Sequence, residues 1–173
     1  MVDFIPINLE LHKSHLINLN IEYLTWIVNE MRQRYNIDLE LQMGVNIREY
    51  TTKFLEELSS YLPPDGIYYM IQKNNSIIGM GALRKIKNGI GEIKRMYIKP
   101  KYRGNGYGKE LLALLLKKVK EFRFSSVRLD TGEFMTTAHR VYRLKGFQER
   151  EQYIESEVPT FFLPHWLFME KFI

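Results

Sequence analysis

The sequence predicts a mixed α/β (α+β) fold in which a mostly antiparallel central sheet is flanked by helices. Three observations carry that prediction. The first sixty residues repeat apolar side chains at helical spacing. Between residues 67 and 98 the period shortens to strand-like runs separated by tight-turn signals. A glycine-rich loop, Arg103 to Gly108, then stands between a strand and an apolar helical run. At 173 residues, 45% apolar and 26% charged, the chain suits one globular domain, expected over residues 3–173.

Phe4 to Leu9 reads as a short first strand. From about Ser14 to Tyr35, Ile17, Ile21, Leu24, Val28, Met31 and Tyr35 recur at three- and four-residue steps, with Leu16, Leu19, Tyr23 and Ile27 widening the stripe, as one long helix or two. Asn36 to Gly44 reads as a loop. Asn46 with Glu49 is a helix-start signature, and Ile47, Tyr50, Phe54, Leu58 and Tyr61 mark one face of the helix that follows. Pro63-Pro64-Asp65-Gly66 stops it. Strands are expected over residues 67–71, 77–86 and 92–98, with turns at Lys73–Ser76 and Asn88-Gly89. A helix over about residues 105–121, a short strand at Val127–Leu129 and a helix carrying Phe134, Ala138, Val141 and Tyr142, closed by Gly146, come next. Residues 153–165 read as a loop and Trp166–Phe172 as the last strand.

Composition narrows the chemistry. Without cysteine there is no disulfide, cysteine nucleophile or thiolate metal site, and the histidines show no metal-ligand spacing, so no metal is expected. The opening residues lack a basic stretch followed by an apolar core, and no apolar run approaches a membrane span; the expected compartment is the cytoplasm, with no membrane partner. Net charge is +5, and Lys94, Arg95, Lys99, Lys101, Arg103 and Lys109 lie around the glycine loop in sequence. That favours a phosphate-bearing ligand. Nucleic acid is not expected as a partner, because no nucleic-acid-binding motif accompanies the charge.

The loop itself is an anion site by construction. Glycine lets backbone approach a phosphate closely, and the first N–H groups of a helix have no internal partner. A P-loop is excluded, because Arg103 stands where its first glycine belongs and Glu110 follows Gly108-Lys109. A dinucleotide fingerprint fails because Lys109 replaces its third glycine. Arg103, Gly106 and Gly108 instead match Arg/Gln-x-x-Gly-x-Gly/Ala.

That pattern resembles the GNAT superfamily of N-acetyltransferases. Glu92 to Ile98, followed by Pro100, Lys101 and Arg103-Gly104-Asn105-Gly106-Tyr107-Gly108, is similar to the family's fourth strand and coenzyme loop. Ala138 to Phe147 is similar to its Ala-x-x-x-Tyr-x-x-x-Gly-Phe segment. The resemblance covers roughly residues 3–173, the first sixty in outline only. One departure is Met135, where many members carry Asn, which puts an amide contact to the cofactor in doubt.

The resemblance implies direct transfer of an acetyl group from acetyl-CoA to a primary amine. It implies Tyr142 as general acid and Glu92 as base, direct or through water; the plain readings are a core aromatic and a strand-end carboxylate. The backbone of Met96, Tyr97 and Ile98 would hold the pantetheine arm and supply an oxyanion donor. Arg103, Gly104, Asn105, Gly106, Tyr107, Gly108 and Lys109 would hold the diphosphate, with Arg143 or Lys145 reaching the 3′-phosphate. His139 reads as a surface helix residue. Alternation places Glu92, Lys94, Met96 and Ile98 on one face of their strand and Ile93, Arg95 and Tyr97 on the other. The acceptor is expected between residues 14–60 and 150–165. A small-molecule amine is favoured; a protein or peptide amine, or a non-catalytic acyl-CoA sensor, are the alternatives. Family members are often homodimers, commonly through the exposed edge of a final strand.

Overall fold

A computed structural model of the chain describes residues 2–44, 46–56 and 58–173. After strand β1 (Asp3–Pro6), the first helical stretch is one helix, α1 (Leu9–Tyr35). It starts earlier than the apolar period indicates, because the Asn8 side chain accepts from the N–H groups of Glu10 and Leu11 and caps it there. Asn36, in the left-handed region at φ 56°, ends it. The expected loop at 36–44 contains a helical turn, α2 (Leu39–Met43), capped by Asp38 and closed by Gly44 at φ 66°. Helix α3 (Ile47–Glu56) opens on a reciprocal cap. The Glu49 N–H donates to Asn46 Oδ1 at 3.0 Å, and the Asn46 N–H donates to Glu49 Oε2 at 3.2 Å. Leu58 and Tyr61 belong to a separate 3-10 turn rather than to α3.

Strands β2 (Gly66–Lys73), β3 (Ser76–Lys87) and β4 (Ile90–Ile98) form the antiparallel meander. Asn74 and Asn75 both take positive φ in the first turn, as a tight two-residue hairpin requires. Then follow α4 (Tyr107–Glu121), β5 (Ser126–Gly132), α5 (Thr136–Leu144), β6 (Gln148–Arg150) and β7 (Trp166–Phe172). A 3-10 turn at Thr160–His165 lies within the expected C-terminal loop. Among the described residues the strands make one seven-stranded sheet, ordered β1-β2-β3-β4-β5-β7-β6. Strand β7 is therefore not an edge: β5 and β6 flank it, so a dimer through a free final-strand edge does not fit.

Two layers cover the sheet. Leu111, Leu112, Leu115 and Val119 of α4 pack with Ile71, Ile78, Leu83 and Ile93 on one face. Leu16 and Leu19 of α1 and Phe54 of α3 pack with Tyr68, Met70, Met80, Ala82 and Tyr97 on the other. Each fully buried aliphatic or aromatic side chain contributes roughly 1.5–3 kcal/mol.

Two features of β4 shape the site. First, it pairs in parallel with β5 only from Ile90 to Ile93; beyond that the two strands separate. Second, its register against β3 jumps between Ala82↔Lys94 and Met80↔Tyr97, so β4 carries one extra residue, and Arg95 sits there at φ 57°. The bulge overturns the expected alternation. Tyr97 joins the α1/α3 face, while Met96 and Ile98 join Ile93 on the α4/α5 face.

Candidate active site

Where β4 and β5 diverge, a cavity opens. Lys94, Arg95 and Met96 line it from β4, Asp130 and Thr131 from β5, and Tyr142 from α5. Tyr23 and Ile27 of α1, Met43, Ile47 and Tyr50 wall it on the helical side. Glu157, Val158, Phe162 and Trp166 close it from the C-terminal segment. A third apolar cluster, joining Ile27, Val28, Met31 and Leu39 to Tyr153, Val158, Phe162 and Phe168, holds these walls together.

Tyr142 is buried, its ring against Phe147. Its hydroxyl donates to Met96 Sδ at 3.9 Å, a weak partner that leaves it available to a substrate. Burial, then the charges of Tyr23 and Asp130, pushes the hydroxyl above its ordinary pKa, so it is protonated at neutral pH. The bulge at Arg95 is what turns Met96 toward Tyr142 and brings these two sequence-predicted residues together.

Glu92 does not line the cavity. It is wholly buried, 2.7 Å from Arg84 Nη2, and it accepts a hydrogen bond from Tyr153. Lys94 lies 3.9 Å from it but bonds more closely to Asp130, at 2.8 Å. The other Asp130 oxygen accepts from Trp166 Nε1, also at 2.8 Å. Burial pulls the Lys94 ammonium down, yet Asp130 and then Glu92 outweigh it, and its pKa rises. Of Glu92, Asp130 and Glu157, Glu157 is the one with access to solvent. Its side chain is 51% exposed, 2.6 Å from Arg84 and 4.0 Å from Lys94. Asp130, Tyr153 and Glu157 escaped the sequence reading. Asp130 lay just past the expected strand, although an acidic residue ending a buried strand was a usable signal. The other two lay in segments read as loop.

At the other end of β4, Gly104 and Gly106 take φ 80° and 85°. The N–H groups of Lys109 and Glu110 bond back to the Gly106 carbonyl. Those of Tyr107 and Gly108, in the first turn of α4, have no carbonyl one turn earlier in the helix. Arg103 Nε donates to the Ile98 carbonyl at 2.9 Å while its guanidinium lies 4.6 Å from the Trp26 ring, which ties the loop to β4 and α1. Asn105 braces the turn through the carbonyls of Tyr102 and Arg103. The Tyr107 hydroxyl accepts from Lys73 at 2.8 Å, a cation the sequence reading did not place here. Lys109 is exposed. Met96, Tyr97 and Ile98 lie on β4 beyond its pairing with β5, so their edge faces the gap.

Three basic residues leave the expected crowd around the loop. Lys94 and Arg95 face the cavity, and Lys99 pairs with Glu22 at 3.3 Å. Arg143 pairs with Glu149. His139 is buried rather than on the surface, its Nε2 3.0 Å from the Gly132 carbonyl. Met135 lines the cavity at the start of α5. Among the described residues no helix is long and apolar enough to cross a membrane, and no group of three or more His, Cys, Asp or Glu stands where it could hold a metal ion.

The "Acetyltransferase (GNAT) family" model matches residues 27–147. An "IAA acetyltransferase" of Azospirillum brasilense is 30% identical over 97 residues, 56% of this chain and 63% of that protein, so the match spans less than two thirds of that relative. An uncharacterized N-acetyltransferase of Schizosaccharomyces pombe is 27% identical over 78% of this chain and 80% of its own. Among solved structures, a putative acyl-CoA N-acyltransferase from Klebsiella pneumoniae superposes with a TM-score of 0.70 at 27% identity, over 99% of this chain and 97% of that one. A Thermoplasma acidophilum N-acetyltransferase in complex with coenzyme A shares the fold, with a TM-score of 0.71 at 18% identity over 100% and 99% of the two chains.

Proposed function

This chain belongs to the GNAT acetyltransferase family, and from that premise we propose that it moves an acetyl group from acetyl-CoA directly to the primary amine of a small molecule. The observation that carries the reading is the position of Tyr142. Its weakly held hydroxyl lines the cavity opened by the divergence of β4 and β5, beside Met96, and the same strand runs on from Met96 to the glycine loop. A donor lying along the free edge of Met96–Ile98, with its diphosphate on residues 103–109, would present its thioester there.

The amine lone pair attacks the thioester carbonyl, the C–N bond forms, and the C–S bond breaks. Tyr142 donates its proton to the departing thiolate and is restored from solvent. A backbone N–H of β4 stabilises the oxyanion. Glu157, a solvent-accessible carboxylate of the cavity beside Lys94, receives the amine proton directly or through water. Glu92 acts behind it, fixing Arg84 and through Arg84 Glu157. Arg143 would reach the 3′-phosphate only by leaving Glu149. Walls from α1, α3 and the C-terminal segment support a small acceptor over an extended peptide.

Thermal unfolding with acetyl-CoA, CoA and a control nucleotide tests the donor half, and thiol release over an amine panel tests the transfer. Stabilisation by acetyl-CoA with amine-dependent thiol release is expected. Its absence with acetyl-CoA overturns the reading.

A further inference from the structure

We propose that the acceptor amine also carries an anionic group, which Arg95 binds; this rests on the acetyl-transfer reading above for the amine but not for the anion. The other cation that lines the cavity, Lys94, and Arg84 behind it are already neutralised. Lys94 is paired with Asp130, and Arg84 with Glu92 and Glu157. Arg95 lines the same cavity and, among the described residues, has no carboxylate within 4.0 Å. Among the described residues its one hydrogen bond runs from Nη1 to Asn20 Oδ1, at 3.1 Å.

The side chain is nonetheless held in place. Asn20 is fully buried, and its amide donates to the Leu16 carbonyl at 2.9 Å and the Tyr68 hydroxyl at 3.2 Å, which fixes its oxygen toward Arg95. The guanidinium lies 4.0 Å from the Phe54 ring centroid and 5.9 Å from that of Tyr50. The backbone aims it from the bulge at φ 57°, a conformation that non-glycine residues seldom adopt. A guanidinium has five N–H donors in a planar fork, and Arg95 uses one of them on the protein. The remaining fork fits a carboxylate or phosphonate.

Another part of the lining has the complementary sign. Asp130 and Glu157 line the cavity with Lys94, and the Glu92–Arg84 pair lies behind them; of these three carboxylates Glu157 is the most exposed to solvent. An ammonium and an anion on one small molecule satisfy both parts. The aromatic faces of Tyr23, Tyr50 and Trp166 accommodate an apolar substituent between them.

Matched pairs test this: alanine with ethylamine, leucine with isoamylamine, and phenylalanine with 2-phenylethylamine, plus the aminophosphonate analogue of phenylalanine to separate the two anions. In at least one pair kcat/KM should favour the anionic member tenfold or more, the scale of one charge-assisted hydrogen bond. Arg95→Gln should bring that ratio to about one, and Arg95→Lys should retain part of it. Calorimetric binding of the same pairs to the CoA-saturated and the free protein reads the same ratio without turnover. A loss of acetyl-CoA binding therefore sinks the transfer reading and leaves the Arg95 ratio measurable. If no anionic member outperforms its partner by either measurement, or if Arg95→Gln, shown folded by its thermal transition, keeps the ratio, the proposal is overturned.

Discussion

Arg84 Nη2 lies 2.7 Å from Glu92 Oε2, and the two side chains are 10% and 0% exposed. A carboxylate so deeply placed cannot be left without its cation. Removing one partner of a buried pair typically costs about 3–5 kcal/mol, whereas replacing both with apolar groups is often near neutral. Glu92→Ala and Arg84→Ala should each lower the urea midpoint strongly. The double variant Arg84→Met, Glu92→Leu should recover part of the loss, with the remainder reflecting Tyr153 and Glu157, which lose their partner. Additive losses in a double-mutant cycle would show that the pair is not coupled.

Tyr142→Phe removes a hydroxyl whose hydrogen-bond partner among the described residues is a thioether sulfur, Met96 Sδ. Little folding stability should change, because no strong hydrogen bond is broken. Turnover should fall about 100-fold, the lower range for loss of a proton-transfer group, with acetyl-CoA affinity unchanged. Steady-state kinetics beside thermal shift checks both. Since burial holds this hydroxyl above its ordinary pKa, the alkaline limb of the rate profile should show no loss assignable to Tyr142 below pH 10.

The buried tyrosines also predict how stability depends on pH. Burial raises Tyr23 to about 12 and raises Tyr68 and Tyr153 further. In the unfolded chain they titrate near 10. Above that pH the folded state binds more protons than the unfolded one, so the contribution is fully present below pH 10 and is lost as pH rises through the folded values. Urea midpoints should decline between pH 10 and 12. Phenolate absorbance should appear for these groups together with unfolding; full ionisation in the folded protein would contradict the burial.

Much of this was legible in the chain, and the misses have specific causes. The Asn46–Glu49 cap, the Asn74-Asn75 turn and the loop at Gly104 and Gly106 depend on local chemistry, which residue type reveals. The face of Tyr97 depends on a bulge at Arg95, and nothing in a period-two pattern marks where a strand gains a residue. The burial of His139 follows from a carbonyl seven residues away at Gly132. Glu157 and Tyr153 reach the site from a segment without regular period, so only tertiary structure could bring them to Arg84 and Glu92. Sequence therefore pointed to the glycine loop and β4, and the walls of the cavity had to come from packing.

Gly106 and Gly108 give the last prediction, because they differ in one respect. A Cβ on Gly106 would meet only Glu110 Oε1 at 3.8 Å, and one on Gly108 only Ile98 Cγ1 at 3.8 Å, so neither substitution is blocked by space. Gly106, however, sits at φ 85° as the residue preceding α4, where a side chain costs roughly 1–2 kcal/mol. Gly106→Ala should lower the thermal midpoint and weaken CoA binding, since relieving the strain turns the N–H groups of Tyr107 and Gly108 away from a common point. Gly108→Ala lies inside the helix at ordinary φ, where alanine is favoured over glycine by up to about 1 kcal/mol. It should hold or raise the midpoint and keep CoA affinity within a few fold. Equal losses from both substitutions would mean that crowding of the anion, rather than the left-handed turn at Gly106, sets the glycine requirement of this loop.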